Sequence, residues 1–412
     1  MVLMLDLVRS GSATTKPELA RKAGLGRNVV TQRVSLLVKA GLLEEGELAG
    51  STGGRAARGL KLRNTAGLLL VAPLGVTGKE VAVTDLAGNP LARLSERSDI
   101  ADGPENVLSR IEEIFDQLLD SAAIPEAAKV WGVGVGLPGP VEFATGRPVN
   151  PPIMPGWDLY DVRSRLAQRY NAPVWVDNDV NVLALGEHRA GLARGERHML
   201  YIKVGTGIGA GLISNGLLHR GEKGCAGDIG HVAVAEGDGV LCRCGKVGCL
   251  EALAGGGALV RDATLAAQDG HSSYLKSLIE QGKALEAVDV TRAAQRGEAV
   301  AVELLTRAGR LIGETLAVLV NSFNPAMVIL GGQVVESGDI LLAATRETVY
   351  RRSLPLATRD LRMTRSRLGR DAGVVGAALM VSEQLFSRAR LGLWLDAGSP
   401  AGHPELAESV SA

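Results

Sequence analysis

Beyond residue 67 the hydrophobic positions fall into short apolar runs separated by glycine turns, and into longer stretches at helical spacing. The runs at 68–72, 80–84, 130–136, 174–177, 199–204, 209–214 and 326–330 predict strands, while 105–123, 159–171, 182–190, 300–321 and 374–390 predict helices. Strands interleaved with helices over more than 300 residues imply an α/β body. Two lobes with a ligand cleft between them are expected.

The first 65 residues follow another pattern. Thr15 and Glu18 have capping-box spacing with Pro17 in the first turn, and Leu19, Ala20 and Ala23 supply an apolar face that ends at Gly24. A second helix is expected from about Arg27 to Ala40, stopped by Gly41. At 100° per residue Val30, Val34 and Leu37 share one side of it, and Asn28, Thr31, Gln32, Ser35 and Lys39 the other. Short polar side chains on an exposed helix face are suited to reading base edges in a major groove. Two short strands at 42–44 and 60–62 then flank a glycine-rich loop, a wing from which Arg55 and Arg58 can reach DNA. A winged helix-turn-helix over residues 1–65 is the expectation.

Charge sharpens that division. The 412 residues carry 45 basic and 45 acidic side chains. Residues 1–65 hold 11 basic against five acidic ones, a balance of +6 that leaves −6 for the remainder. Such a split fits a nucleic-acid module joined to an acidic partner domain. The longest uncharged run, 315–335, contains Asn321, Asn324, Pro325, Gly331, Gly332 and Gln333, and reads as helix, turn and strand rather than a membrane span. No export signal opens the chain, so a cytoplasmic protein is expected. The Gly, Pro, Ser, Ala and Glu composition of 396–412 predicts a disordered tail.

All four cysteines lie within 25 residues, and three of them, Cys242, Cys244 and Cys249, follow His231 closely. Three thiolates and an imidazole form a closed tetrahedral set of the kind zinc prefers, with no open position for substrate. A structural zinc loop is the expectation. Cys225 stands outside the pattern.

Further matches accumulate around this loop: Gly205-Thr206-Gly207-Ile208-Gly209-Ala210-Gly211-Leu212, then Gly227-Asp228-Ile229-Gly230-His231, Asp177-Asn178-Asp179-Val180-Asn181, and the cysteine run through Leu250-Glu251. With Asn324-Pro325, Leu330-Gly331-Gly332 and Gly376-Ala377-Ala378, they make the chain resemble the ROK family of sugar-responsive repressors, open reading frames and sugar kinases. The resemblance implies an actin-like, hexokinase-like ATPase fold. It further implies that Asn178, Asp179, Asp228, His231 and Glu251 hold sugar hydroxyls, that His231 serves the metal as well, and that the protein is a dimer or tetramer.

In the family's kinases the residue matching Asp179 is the general base, and an Asp-x-Gly-x-Thr turn handles the nucleotide phosphates. Here that turn reads Pro73-Leu74-Gly75-Val76-Thr77, with neither a carboxylate nor a backbone N–H at its first position. Asp228 stands where relatives more often carry glutamate, and Ala56 where many carry proline. The expected organisation is therefore a DNA-binding domain (1–65), a first lobe (66–178, completed by a helix at 373–395) and a second lobe (179–372) with the zinc loop. A regulator that binds operator DNA and a sugar or sugar phosphate is the first expectation, without enzymatic activity. An ATP-dependent sugar kinase with a DNA-binding extension is the alternative, and a regulator working mainly through a protein partner a third.

Overall fold

The computed structural model describes residues 1–48, 58–125, 127–237, 239–336 and 338–408. The chain opens with three helices, α1 (Val2–Arg9), α2 (Lys16–Ala23) and α3 (Arg27–Lys39), and an antiparallel pair, β1 (Leu43–Leu48) and β2 (Arg58–Leu62). The Thr15 hydroxyl accepts from the Glu18 N–H, while the Glu18 carboxylate accepts from the N–H of Thr14 rather than that of Thr15. Gly24 takes the left-handed conformation that ends α2 (φ 64°). Helix α1 has no counterpart in the sequence reading. It buries Met4, Leu5 and Val8 against a core shared with Leu19, Val34, Leu37 and Leu60.

Two five-stranded mixed sheets form the body. The first has the order β5 (Pro90–Arg97), β4 (Gly78–Thr84), β3 (Leu68–Pro73), β6 (Val130–Leu137), β9 (Val174–Asn178), with a small hairpin of β7 (Val141–Glu142) and β8 (Arg147–Pro148) beside it. The second repeats that order as β12 (Leu217–His219), β11 (Ile208–Ser214), β10 (Met199–Val204), β13 (Met327–Gly331), β14 (Arg362–Arg365). In both sheets the first three strands pair antiparallel and the last two join in parallel. The fully apolar runs are the central strands, buried on both faces. Edge strands β5, β12 and β14 carry mixed or exposed sequences and have no counterpart among the strands expected from sequence.

Helices α4 (Pro104–Leu119) and α5 (Val162–Tyr170) accompany the first sheet. The second is backed by α7 (Leu250–Ala254), α8 (Gly256–Gln268), α9 (Ser273–Glu280), α10 (Ala287–Gln295), α11 (Ala299–Phe323), α12 (Gln333–Glu336), α13 (Ile340–Arg352) and α14 (Pro355–Thr358). Between the sheets run α6 (Asp179–Ala190) and α15 (Asp371–Leu385). The core of the N-terminal helices continues without a break into Trp131, Trp175, Val182, Leu185, the apolar face of α15 and Trp394.

Residues 396–408 are folded, where composition predicts a disordered tail over 396–412; 409–412 lie outside the described residues. Leu406 and Ala407 are buried, the Arg390 guanidinium donates to the Leu406 carbonyl at 2.7 Å, and Trp394, in α16 (Leu391–Trp394), is fully buried against Trp131. Two large apolar anchors outweigh a composition that reads as a tail. No helix among the described residues is long and apolar enough to cross a membrane.

Candidate functional site

The repeated sheets leave an open cleft between them, at the carboxyl ends of β9 and β10. This is the end of a parallel strand set where α/β folds place ligands. Asn178, Asp179, Asp228, His231 and Glu251, separated by up to 73 positions in the chain, all line it. So do Asn181, Lys203, Cys225 and the turn from Gly207 to Ala210.

Local structure fixes each of these side chains. Asn178 caps α6, its Oδ1 accepting from the Val180 N–H at 2.9 Å while its amide donates to the Gly139 carbonyl at 2.8 Å. Asp177, a residue earlier, is buried: its Oδ1 accepts from the Asn178 N–H and the Asn181 amide, both at 2.8 Å, and its Oδ2 from Arg220 Nε at 2.8 Å. The Arg220 guanidinium lies 3.8 Å from the centre of the Phe143 ring. The chain after β12 is thereby clasped to the first lobe beside the cleft. Glu251 accepts from the Ile208 N–H at 3.1 Å, and a Cβ on Gly207 would stand only 2.2 Å from the same carboxylate oxygen. The Gly-Thr-Gly turn is thus shaped around Glu251. Asp228 stands exposed at the rim.

Asp179 is buried at the first position of α6 and forms an ion pair with Lys203 Nζ from β10. Burial pushes its carboxyl upward from the usual range, and the Lys203 ammonium opposes that shift. Sequence reasoning missed Lys203. The available signal was a single lysine in the otherwise uncharged strand Met-Leu-Tyr-Ile-Lys-Val.

His231, in the cleft lining, also stands beside three cysteines. The His231 imidazole and the Cys242, Cys244 and Cys249 sulfurs all lie within 4.8 Å of one another, with His231 Nδ1 to Cys242 Sγ and Cys244 Sγ to Cys249 Sγ both at 3.6 Å. A tetrahedral ion with zinc's bond lengths separates its ligand atoms by about 3.5–3.8 Å. The four residues could hold a metal ion. Without one, burial and then the neighbouring sulfurs push the Cys249 thiol up to about 12, an arrangement that a cation taking the place of the thiol protons relieves. Cys225 lies in the cleft wall, apart from the cluster.

The residues expected to face DNA occupy a different part of the molecule. Asn28, Thr31, Gln32, Ser35 and Lys39 are exposed along α3, with Val30, Val34 and Leu37 fully buried on its other side. Arg58 begins β2, largely exposed, 3.7 Å from Glu45. Arg55 lies outside the described residues.

A two-lobed α/β fold of duplicated mixed sheets around a polar cleft defines the actin-like ATPase class. Comparison with known families matches residues 72–384 to the ROK family, and the chain belongs to it. A glucokinase of Halalkalibacterium halodurans is 32% identical over 311 residues, 76% of this chain and 94% of the relative. The xylose repressor of Caldicellulosiruptor bescii is 29% identical over 398 residues, 94% of this chain and 96% of the relative. Among solved structures, a ROK family transcriptional regulator, a homologue of the E. coli MLC protein, superposes with a TM-score of 0.79 at 26% identity, covering 93% of this chain and 95% of its own. The similarity to repressors supports a sugar-responsive regulator, and glucokinases share the same body.

Proposed function

We propose that the protein is a sugar-responsive, DNA-binding transcriptional regulator, a repressor of carbohydrate genes, whose effector sugar occupies the cleft between the lobes. The observation that carries this reading is the extent of the similarity. The C. bescii repressor aligns over 94% of the chain, whereas the H. halodurans glucokinase aligns over 76% and the family match begins only at residue 72. What the repressor adds is the N-terminal unit of α1 to α3 with β1 and β2, read here as a winged helix-turn-helix.

In this account Asn28, Thr31, Gln32, Ser35 and Lys39 on α3 meet base edges and phosphates in the major groove, and Arg58 with Arg55 acts from the wing. Asn178, Asp179, Asp228, His231 and Glu251 hold the sugar hydroxyls. Among the lining residues three carboxylates face one ammonium, which favours an uncharged sugar over a phosphate ester. Zinc on His231, Cys242, Cys244 and Cys249 is structural: it braces His231 and the turn that leads into Glu251. A two-fold symmetric operator calls for a homodimer or a pair of dimers. The sugar alters DNA affinity because it binds two lobe arrangements unequally, and a coupling of about 1–3 kcal/mol gives a useful response.

The kinase reading draws on the 32% identity to a glucokinase. Against it stand Pro73 at the end of β3, packed against Gly373, and the ion pair that occupies Asp179. Calorimetric titration with glucose, xylose, N-acetylglucosamine and their phosphates, on the wild type and Asp179→Ala, tests the placement of the sugar. One unphosphorylated sugar is expected to bind the wild type and not the variant; equal binding by both contradicts it. Phosphoryl transfer from ATP to the same sugars is expected to stay at background.

A further inference from the structure

Lys203, on β10 of the second sheet, pairs with Asp179, the first residue of α6, and both side chains line the cleft. Resting on the assignment of a sugar to this cleft, we propose that Lys203 is a positioning residue, which orients the Asp179 carboxylate toward sugar hydroxyls and favours its ionised, accepting form.

The argument begins with geometry. Lys203 Nζ donates to Asp179 Oδ2, which leaves Oδ1 outside this contact, and both residues line the cleft. The Asp179 side chain is 8% exposed and that of Lys203 21%, so the pair is formed largely out of water. A carboxylate so deeply buried and without a counter-charge favours its neutral form, which both donates and accepts and selects sugar hydroxyls less sharply. The ammonium in contact opposes that effect and favours the charged form. A carboxylate already committed to a cation is also a weak proton acceptor, so the pair accounts physically for a receptor built on a body shared with kinases.

Further along α6 itself lie the ionisable groups Glu187, His188 and Arg189. Strands β6 and β11 contribute none. Strand β10 adds the buried Tyr201, β9 adds Asp177, already paired with Arg220, and β12 adds His219. Asp371 and Glu383 on α15 pair with Arg93 and Arg189, while Asp228, His231 and Glu251 share the cleft. All of these remain in place when Lys203 alone is replaced. A difference between wild-type and variant titrations therefore isolates Asp179.

The test uses the full-length protein labelled with ¹³C at aspartate carboxyl carbons, the Asp179 resonance being identified by its loss in Asp179→Asn. In Lys203→Met the Asp179 midpoint is expected about one pH unit or more above the wild-type midpoint. Lys203→Arg is expected to restore it, and Lys203→Gln serves in place of Lys203→Met if circular dichroism shows that variant unfolded. A neutral variant that titrates with the wild type, or an arginine variant that shifts as the neutral one does, overturns the proposal. In parallel, affinity for glucose, xylose and N-acetylglucosamine is measured against pH. For a sugar that binds, the neutral variant should lose about tenfold per pH unit below its raised midpoint, and the wild type should begin to lose affinity only at lower pH. Parallel profiles for wild type and variant overturn the positioning role. Should no sugar bind either protein while the midpoint still shifts, the sugar assignment fails, the positioning role fails with it, and only the ion pair stands.

Discussion

Gly376 on α15 approaches the carbonyl oxygen of Val182 on α6 so closely that a Cβ there would stand 1.9 Å from it. Gly186, one turn further along α6, meets the Ala372 carbonyl in the same way, at 2.1 Å. The two helices therefore cross backbone to backbone, with glycine at both contacts. Because α6 and α15 lie between the sheets, this crossing is where lobe rotation would be borne. Gly376→Val must push the helices apart, and we expect a stability loss of about 1–3 kcal/mol or more by urea denaturation. An unchanged midpoint would show that the crossing tolerates a side chain.

The far end of α6 carries a second relationship. Arg189 Nε lies 2.6 Å from Glu383 Oε1 on α15, and the same oxygen is 3.9 Å from Arg9 on α1. Helix α6 thus begins at the cleft with Asp179 and ends in an ionic contact with the N-terminal helices. We predict that Glu383→Gln leaves sugar affinity and sugar-free DNA affinity within about twofold of the wild type and reduces the factor by which sugar changes DNA affinity. Linked titrations of both ligands check this; an undiminished factor places the coupling elsewhere, such as in the continuous apolar core.

Cys244→Ser should release the metal and lower the thermal midpoint of the body, since three remaining ligands no longer close a tetrahedron. Metal analysis with a melting curve checks both effects. Because the loop braces His231 and leads into Glu251, sugar affinity should fall as well, whereas α3, in a different part of the molecule, should keep its fold.

On α3 the two faces make opposite predictions. Gln32→Ala should spare folding and sugar binding and weaken specific DNA binding by about 1–3 kcal/mol, with little effect on random DNA. Val34→Ala opens a cavity in a fully buried position and should destabilise the N-terminal unit while the exposed face is unchanged. Anisotropy on specific and random duplexes, paired with denaturation, separates the two.

Much of this arrangement was legible in the sequence, for identifiable reasons. Strands β3 and β13 are continuous apolar runs because both of their faces are buried, and the capping and glycine signals at Thr15, Gly24 and Gly41 act locally. Residues from three separate motifs line one cleft. Strand β5, by contrast, reads Pro-Leu-Ala-Arg-Leu-Ser-Glu-Arg, an edge strand whose pairing on one side is its chief support, and β14 is four residues with two arginines. The folded segment near residue 406 depends on Trp394 and Arg390, contacts that composition does not record. Lys203 escaped for a similar reason: its partner lies 24 positions earlier on another element, and nothing in its own strand points there.

The central claim is that one chain joins a sugar cleft to a DNA-reading surface. Fluorescence anisotropy on the promoter regions of its own gene and of neighbouring sugar genes, at several salt concentrations with and without the sugar panel, tests it most directly. The account predicts tight binding that weakens steeply with salt and that one sugar alters by roughly five- to 150-fold. Binding that is absent, or present and indifferent to every sugar, would contradict it.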